Sequence, residues 1–270
     1  MLCAIALALA DCGGGKPAPR PKPSPTATAT ATAAVAPRTD AAAVAARAHI
    51  PVLCYHQIRT PTVADSAPDR TYIVRPSVFA AQMRALDRAG YTPVSGDQLV
   101  AHLARGAPLP RRPVLLTFDD ASAGQYTNAL PILRRHRFVA TFFVMTVVLG
   151  KPGWLTRGQV RALDRAGMTI AAHTWDHKAV PTYAGTDWRI ELTAPRHELE
   201  GLVGHPVRLF AYPYGVWSPG VIPHLRTAGY TAAFQLAERL DRRNPLWTIR
   251  RIIVPEMSGA ALVGEMRRDF

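Results

Sequence analysis

Residues 113–120 read PVLLTFDD, an apolar, β-rich run that stops abruptly at two adjacent carboxylates, Asp119 and Asp120. Apolar residues without polar alternation are the mark of a strand buried on both faces, as in a parallel sheet. Working outward, the same kind of run recurs as IPVLCY (50–55), VATFFVM (139–145), MTIAAH (168–173), VRLFAYP (207–213), YTAAFQ (230–235) and RRIIVP (250–255). Segments of helical period lie between them. In SVFAAQMRALDRAG (77–90), Phe79, Met83 and Leu86 share one face and Gly90 stops the helix; NALPILRRH, TRGQVRALDRAG, WRIELTAPRHELEGLVG and PGVIPHLRTAG follow, with a closing helix at the end. This alternation predicts an α/β fold with helices covering a parallel sheet. About seven units favour a distorted (β/α) barrel, a single domain over residues 49–270, whose chemistry belongs at the C-terminal tips of its strands.

Three strand tips carry residues that a simple turn does not need. One is Asp119-Asp120, another is His173-Thr-Trp-Asp-His177, and the last is Tyr212-Pro-Tyr-Gly215. Each has a bland reading: adjacent acids cap helices and make turns, a pair of histidines arises easily among nine, and Pro and Gly shape turns. Brought together at one end of one barrel, they form a constellation. Two imidazoles four residues apart can converge on a single ion.

TFDDA, HTWDH and FAYPYG resemble the leading motifs of the polysaccharide deacetylase family, the NodB-homology or carbohydrate esterase 4 group. The opening IPVLCYHQI is similar to the branch that de-N-acetylates poly-β-1,6-N-acetylglucosamine, and the resemblance covers roughly residues 50–255. It implies that Asp120, His173 and His177 hold a divalent metal, zinc or else cobalt or nickel. It makes Asp119 the general base and the backbone N–H of Tyr214 an oxyanion donor. The implied reaction removes N-acetyl groups from N-acetylglucosamine units of an exopolysaccharide or of peptidoglycan, releasing acetate. His56, at the first strand's tip, either contacts substrate or makes a structural hydrogen bond. Pro213 and Trp217 are further substrate-contact candidates, the latter because it follows the YPYG loop and can stack on a sugar ring.

The chain departs from the family pattern at three places. Ala121 replaces the Gly after the two acids, and Ala211 stands where an Arg often orients the base, a loss shared with the poly-N-acetylglucosamine branch. No histidine follows His224, so the usual C-terminal general acid is missing from LWTIRRIIV. The alternative is therefore a barrel that keeps its metal site and binds carbohydrate with little or no turnover.

Composition and the N-terminus bear on location. Lys and Arg total 32 against 19 Asp and Glu, a formal charge of +13, which suits nucleic acid, an anionic envelope or an acidic membrane. No basic block, RNA-binding aromatic signature or zinc-finger spacing accompanies it, so a nucleic-acid partner is not expected. Residues 1–12 read as a signal or lipoprotein leader: LCAIALALA is too short to span a bilayer, and LADC resembles a lipobox in which Cys12 would be lipidated. Residues 13–48, rich in Pro, Ala and Thr, read as an extended linker. These features predict an extracytoplasmic protein, secreted or anchored to a bacterial cell membrane. Cys54 is the one cysteine outside the leader, which rules out an intrachain disulfide there and suits inert packing; a monomer is expected.

Overall fold

The computed structural model describes residues 40–236 and 238–270. The leader and residues 13–39 of the linker lie outside the described residues. The apolar runs become strands β1 (Val52–Tyr55), β5 (Pro113–Phe118), β6 (Thr141–Val144), β7 (Thr169–Ala172), β8 (Leu209–Ala211), β9 (Ala232–Phe234) and β10 (Ile252–Ile253). Three short strands had no counterpart in the sequence reading: β2 (Gln57–Ile58), β3 (Ile73–Val74) and β4 (Thr92–Pro93). The helices are α1 (Ala41–Arg47), α2 (Ala67–Arg70), α3 (Pro76–Arg88), α4 (Gly96–Arg105), α5 (Leu130–Arg135), α6 (Arg157–Arg165), α7 (Ala194–Val203), α8 (Ile222–Thr227) and α9 (Gly259–Asp269).

Seven strands form one parallel, curled sheet in the order β10-β1-β5-β6-β7-β8-β9, with β4 added beside β5. Just before β10, Ile249 bridges to Phe234 of β9, so one short segment touches both edges of the sheet. The expected single α/β barrel-like domain is what forms. Its helices start where local chemistry says they should. Ser95 with Gln98 and Thr156 with Gln159 make capping boxes for α4 and α6, and Pro76 opens α3.

Alternation along the strands sorts the core into two parts. Leu53, Tyr55, Leu116, Phe118, Phe142 and Phe210 pack under the outer helices. Val52, Leu115, Phe143, Ala171, Leu209, Ala232 and Phe234 form a second cluster with Val44 of α1 and Leu99 and Leu103 of α4. The domain thus begins earlier than residue 49, since α1 buries Val44 and its Arg47 guanidinium donates to the Leu103 carbonyl at 2.5 and 3.0 Å. The Ala-rich composition that resembled linker is equally good helix.

Two expected helices begin as π turns, Gln125–Ala129 before α5 and Trp188–Thr193 before α7. Pro131 and Pro195 lack the N–H that an α-helical ladder needs there, which favours a wider preceding turn.

Candidate active site

The period of β5 explains why its tip carries two acids. Leu115 belongs to the inner cluster, so Thr117 and Asp119 follow it inward, and Asp119 is only 2% exposed. There it meets Arg251, whose guanidinium donates from Nη1 to Oδ1 at 2.6 Å and from Nη2 to Oδ2 at 2.8 Å. Arg251 is fully buried and also donates to the Gln235 carbonyl at 3.1 Å and to Thr117 Oγ1 at 3.3 Å. The Cys54 thiol donates to Asp119 Oδ2 at 3.6 Å. Burial pushes the Asp119 carboxyl up, but the Arg251 guanidinium together with the His173 and His56 imidazoles outweighs it and holds the group below the usual carboxylate range. Burial likewise drives the Cys54 thiol well up, so it stays protonated, as packing would have it.

Asp120 is turned the other way. The backbone swings into the left-handed region at Asp120 (φ 73°) and Ala121 (φ 72°), which ends the strand and aims the second carboxylate at β7. A glycine would occupy Ala121's conformation without strain; an alanine there is held by the surrounding packing, being fully buried. Asp120 Oδ1 lies 3.4 Å from His173 Nε2 and 3.3 Å from His177 Nε2, and it is buried without a hydrogen-bond partner among the described residues. His173 Nδ1 donates to the Ala211 carbonyl at 2.8 Å, the tautomer that leaves the Nε2 lone pair facing Asp120.

These three groups fit a metal. Ligand atoms each about 2.05 Å from a tetrahedral ion stand about 3.3 Å apart, which is the spacing seen here. A carboxylate oxygen that is buried, unbonded among the described residues and flanked by two imidazole Nε2 atoms is what a cation would satisfy. Cys54, His56 and Asp119 make a second close group, but Arg251 already occupies its carboxylate and a second cation would face that guanidinium.

A cavity of about 240 Å³ opens over the triad. Asp119, Asp120, His173, His177, Tyr214 and Leu236 line one part, and His56, Gln57, Asp69 and Tyr72 the other. The second wall comes from the 57–74 lobe built on the β2–β3 pair, which sequence periodicity missed because its strands have two residues each. His56 lines this wall edge-on to Tyr72 (centroids 4.8 Å), with Nδ1 buried and unpartnered; burial lowers its pKa below 6.5.

Tyr214 also has positive φ (59°), and its N–H donates to no backbone carbonyl among the described residues. The residue is 64% exposed, and its ring centroid sits 4.6 Å from that of His177. Pro213 is buried beneath the loop. Trp217 is half-buried against the hydrophobic core and is not among the cavity residues, where the aromatic groups are Tyr72 and Tyr214. The residue sequence reasoning missed is Arg251. Its signal was present in RRIIV: a charge one step before an apolar strand, on the inward parity of Ile249.

A family model described as polysaccharide deacetylase matches residues 106–233. The poly-β-1,6-N-acetyl-D-glucosamine N-deacetylase of Staphylococcus aureus is 23% identical over 228 residues, 76% of this chain and 78% of that protein. The Escherichia coli protein of the same name is 28% identical over 236 residues, covering 71% of this chain but only 35% of its own length. Among solved structures, the Streptococcus pyogenes deacetylase PplD in complex with acetate superposes with a TM-score of 0.74 at 25% identity, over 80% of this chain and 97% of that one. IcaB from Ammonifex degensii gives 0.68 at 25% identity, over 81% and 97%. With the motifs, the curled seven-stranded sheet and the Asp-His-His triad at its strand tips, the chain resembles the polysaccharide deacetylase family, whose model matches residues 106–233.

Proposed function

We propose that this chain is a metal-dependent hydrolase that removes N-acetyl groups from N-acetylglucosamine units of an exopolysaccharide or of peptidoglycan. The observation that carries this reading is the unbonded, buried Asp120 Oδ1 between two imidazole Nε2 atoms, next to a second carboxylate held by Arg251. Asp120, His173 and His177 would hold the ion, zinc or else cobalt or nickel. When bound, it supplies Lewis acidity that lowers the pKa of water toward about 7 and polarises an acetamide carbonyl.

The chain's own residues do the rest. Asp119, ionised beside Arg251, takes a proton from the attacking water through Oδ2, the oxygen 3.8 Å from His173 Nε2. The Tyr214 N–H donates to the oxyanion, a contribution typically worth about 3 kcal/mol of barrier. As the C–N bond breaks, the proton on Asp119 passes to the leaving nitrogen. The carboxyl that gained a proton in the first half is thus the one that returns it, which removes the need for a histidine after His224. The products are acetate and the free amino sugar. His56 and Tyr72 contact the sugar from the opposite wall, with Pro213 supporting the YPYG loop; Trp217 contacts substrate only where a longer polymer extends past the cavity. The protein acts outside the cytoplasm as a monomer, held to the membrane through Cys12 or secreted, since its polymers lie there.

The test is acetate release from β-1,6-linked and β-1,4-linked N-acetylglucosamine oligomers with zinc, cobalt or nickel supplied, comparing the parent with D119N. Activity on one linkage, lost in D119N, is expected. A parent that binds the oligomers yet releases no acetate with any of the three metals sinks the hydrolase reading in favour of a carbohydrate-binding barrel.

A further inference from the structure

The loop that joins His173 to His177 is strained at both ends. Thr174 (φ 64°) and His177 (φ 69°) are non-glycine residues in the left-handed region, a conformation that persists only where surrounding contacts over-determine it. Some of those contacts are local: the His177 N–H donates to Thr174 Oγ1 at 2.9 Å, and the Val147 N–H donates to the Trp175 carbonyl at 3.0 Å. The remaining pair comes from far along the chain. Glu191 Oε2 accepts from the N–H of Trp175 and from the N–H of Asp176, each at 3.2 Å. Two successive N–H groups aimed at one anion make a backbone nest, here filled by a side chain instead of a ligand.

Glu191 is only 4% exposed, an expensive place for a carboxyl with no ion-pair partner among the described residues. Burial, and the neighbouring Asp176 carboxylate, raise its pKa. Asp176 is in turn paired with Lys178, Nζ to Oδ2 at 2.5 Å, on the exposed side of the loop. Glu191 sits within the π turn Trp188–Thr193, the kind of helix irregularity that often marks a functional position. Hydrophobic packing alone would be better served by leucine or methionine at this spot. The feature that an apolar residue cannot reproduce is the acceptor for two loop N–H groups.

We propose that Glu191 is a positioning residue for the metal site: it fixes the 174–176 backbone so that the His177 imidazole presents its Nε2 to Asp120, beside that of His173, before any ion arrives. The inference rests on the metal-site reading above. Without the clamp, the loop relaxes from its strained conformation and His177, which follows it, loses its aim, while His173 remains held by its own bond to Ala211. Partners that orient metal ligands from behind typically change metal affinity by about 10- to 100-fold when removed.

The test is a cobalt titration of the metal-free full chain, following the visible d–d absorption that reports coordination geometry, with thermal melts of the metal-free proteins alongside. E191A is expected to bind cobalt on the order of 10- to 100-fold more weakly than the parent, with an altered visible spectrum. E191Q, whose carboxamide oxygen can still accept from both N–H groups, is expected to bind within about threefold of the parent and to restore the spectrum. E191D, one methylene too short to reach the nest, should follow E191A and serves in its place if E191A does not fold. Either E191A or E191D binding as the parent does, with the same spectrum, overturns the inference and leaves the metal reading intact. So does E191Q binding as weakly as E191A, because an acceptor role would then be wrong. A parent that binds no cobalt overturns both.

Discussion

Replacing Arg251 with methionine strips the Asp119 carboxylate of its bidentate partner while leaving it 2% exposed. Removing one member of a buried ion pair costs about 3–5 kcal/mol, because the remaining charge stays desolvated and uncompensated. For a domain of this size that is about 6–20 °C in melting temperature. The reciprocal change, D119N, leaves the Arg251 guanidinium buried with only the Gln235 carbonyl, Thr117 Oγ1 and the new carboxamide, and should cost a comparable amount. The double variant D119N/R251M carries neither charge. Its loss should fall short of the sum of the single losses by at least 1 kcal/mol, since groups in direct contact do not behave additively. Urea unfolding of the chelator-treated proteins gives all three values.

The pH dependence supplies an independent check, and its sign can be worked out. In the parent, Asp119 is held below the usual carboxylate range, so it contributes stability above the unfolded value of about 3.9, and that contribution is lost as pH falls through the folded pKa. In R251M, burial is opposed only by the His173 and His56 imidazoles, and the folded pKa rises relative to the parent. The charge is then less favoured in the native state than in the parent at neutral pH, and the difference fades as pH falls toward the parent's folded value. The gap between parent and R251M should therefore be widest near pH 7 and narrow as the pH falls. A gap below about 1 kcal/mol at pH 7, or one that does not change with pH, would refute the argument that Arg251 exists to hold this charge.

Metal and loop chemistry yield further expectations. Zinc at a hundredfold excess over its dissociation constant should stabilise the parent by about 2.7 kcal/mol and leave D120N unmoved, as read by melting with and without chelator; an equal shift in D120N would remove Asp120 from the ligand set. H173A should abolish cobalt binding, and retention of tight binding would mean that the ion is held elsewhere. Y214G keeps the N–H and relieves the positive φ, so kcat should stay within about threefold of the parent even if KM rises from loss of the exposed ring. A hundredfold fall in kcat would assign the role to the ring and not to the backbone. Y72A, on the opposite wall, should raise KM with little change in kcat, and an unchanged KM would take Tyr72 out of the sugar contacts.

The major strands were legible because each is a run of apolar residues buried on both sides, and the site was legible because its residues sit where those runs stop. What the sequence did not reveal follows from the same physics. The β2–β3 lobe, with two residues per strand, has no period to detect, yet it supplies Gln57, Asp69 and Tyr72 to the cavity. The Glu191 nest joins residues 15 and 16 positions apart through backbone groups, which leave no trace in residue type.

Arg251 is the most instructive case. At Ala211, on β8, the base has no partner, and by position along the chain the family's arginine is simply missing. A curled sheet has several inward-facing positions at the same height, however, and a guanidinium is long enough to reach the base from more than one of them. Arg251 reaches Asp119 from the segment leading into β10, across β1 from β5. The sheet's curvature, not sequence spacing, decides which residues are neighbours. Parity is the constraint that survives the move: Thr117 on β5 and Asp119 just past its end, and Ile249 and Arg251 before β10, all face the interior, so the paired charges meet where both strand patterns point. By the same rule the adjacent Asp120 would have pointed outward into the helical layer. The left-handed turn at Asp120 and Ala121 turns it instead to the two imidazoles, which is how one strand end delivers two carboxylates to two different partners.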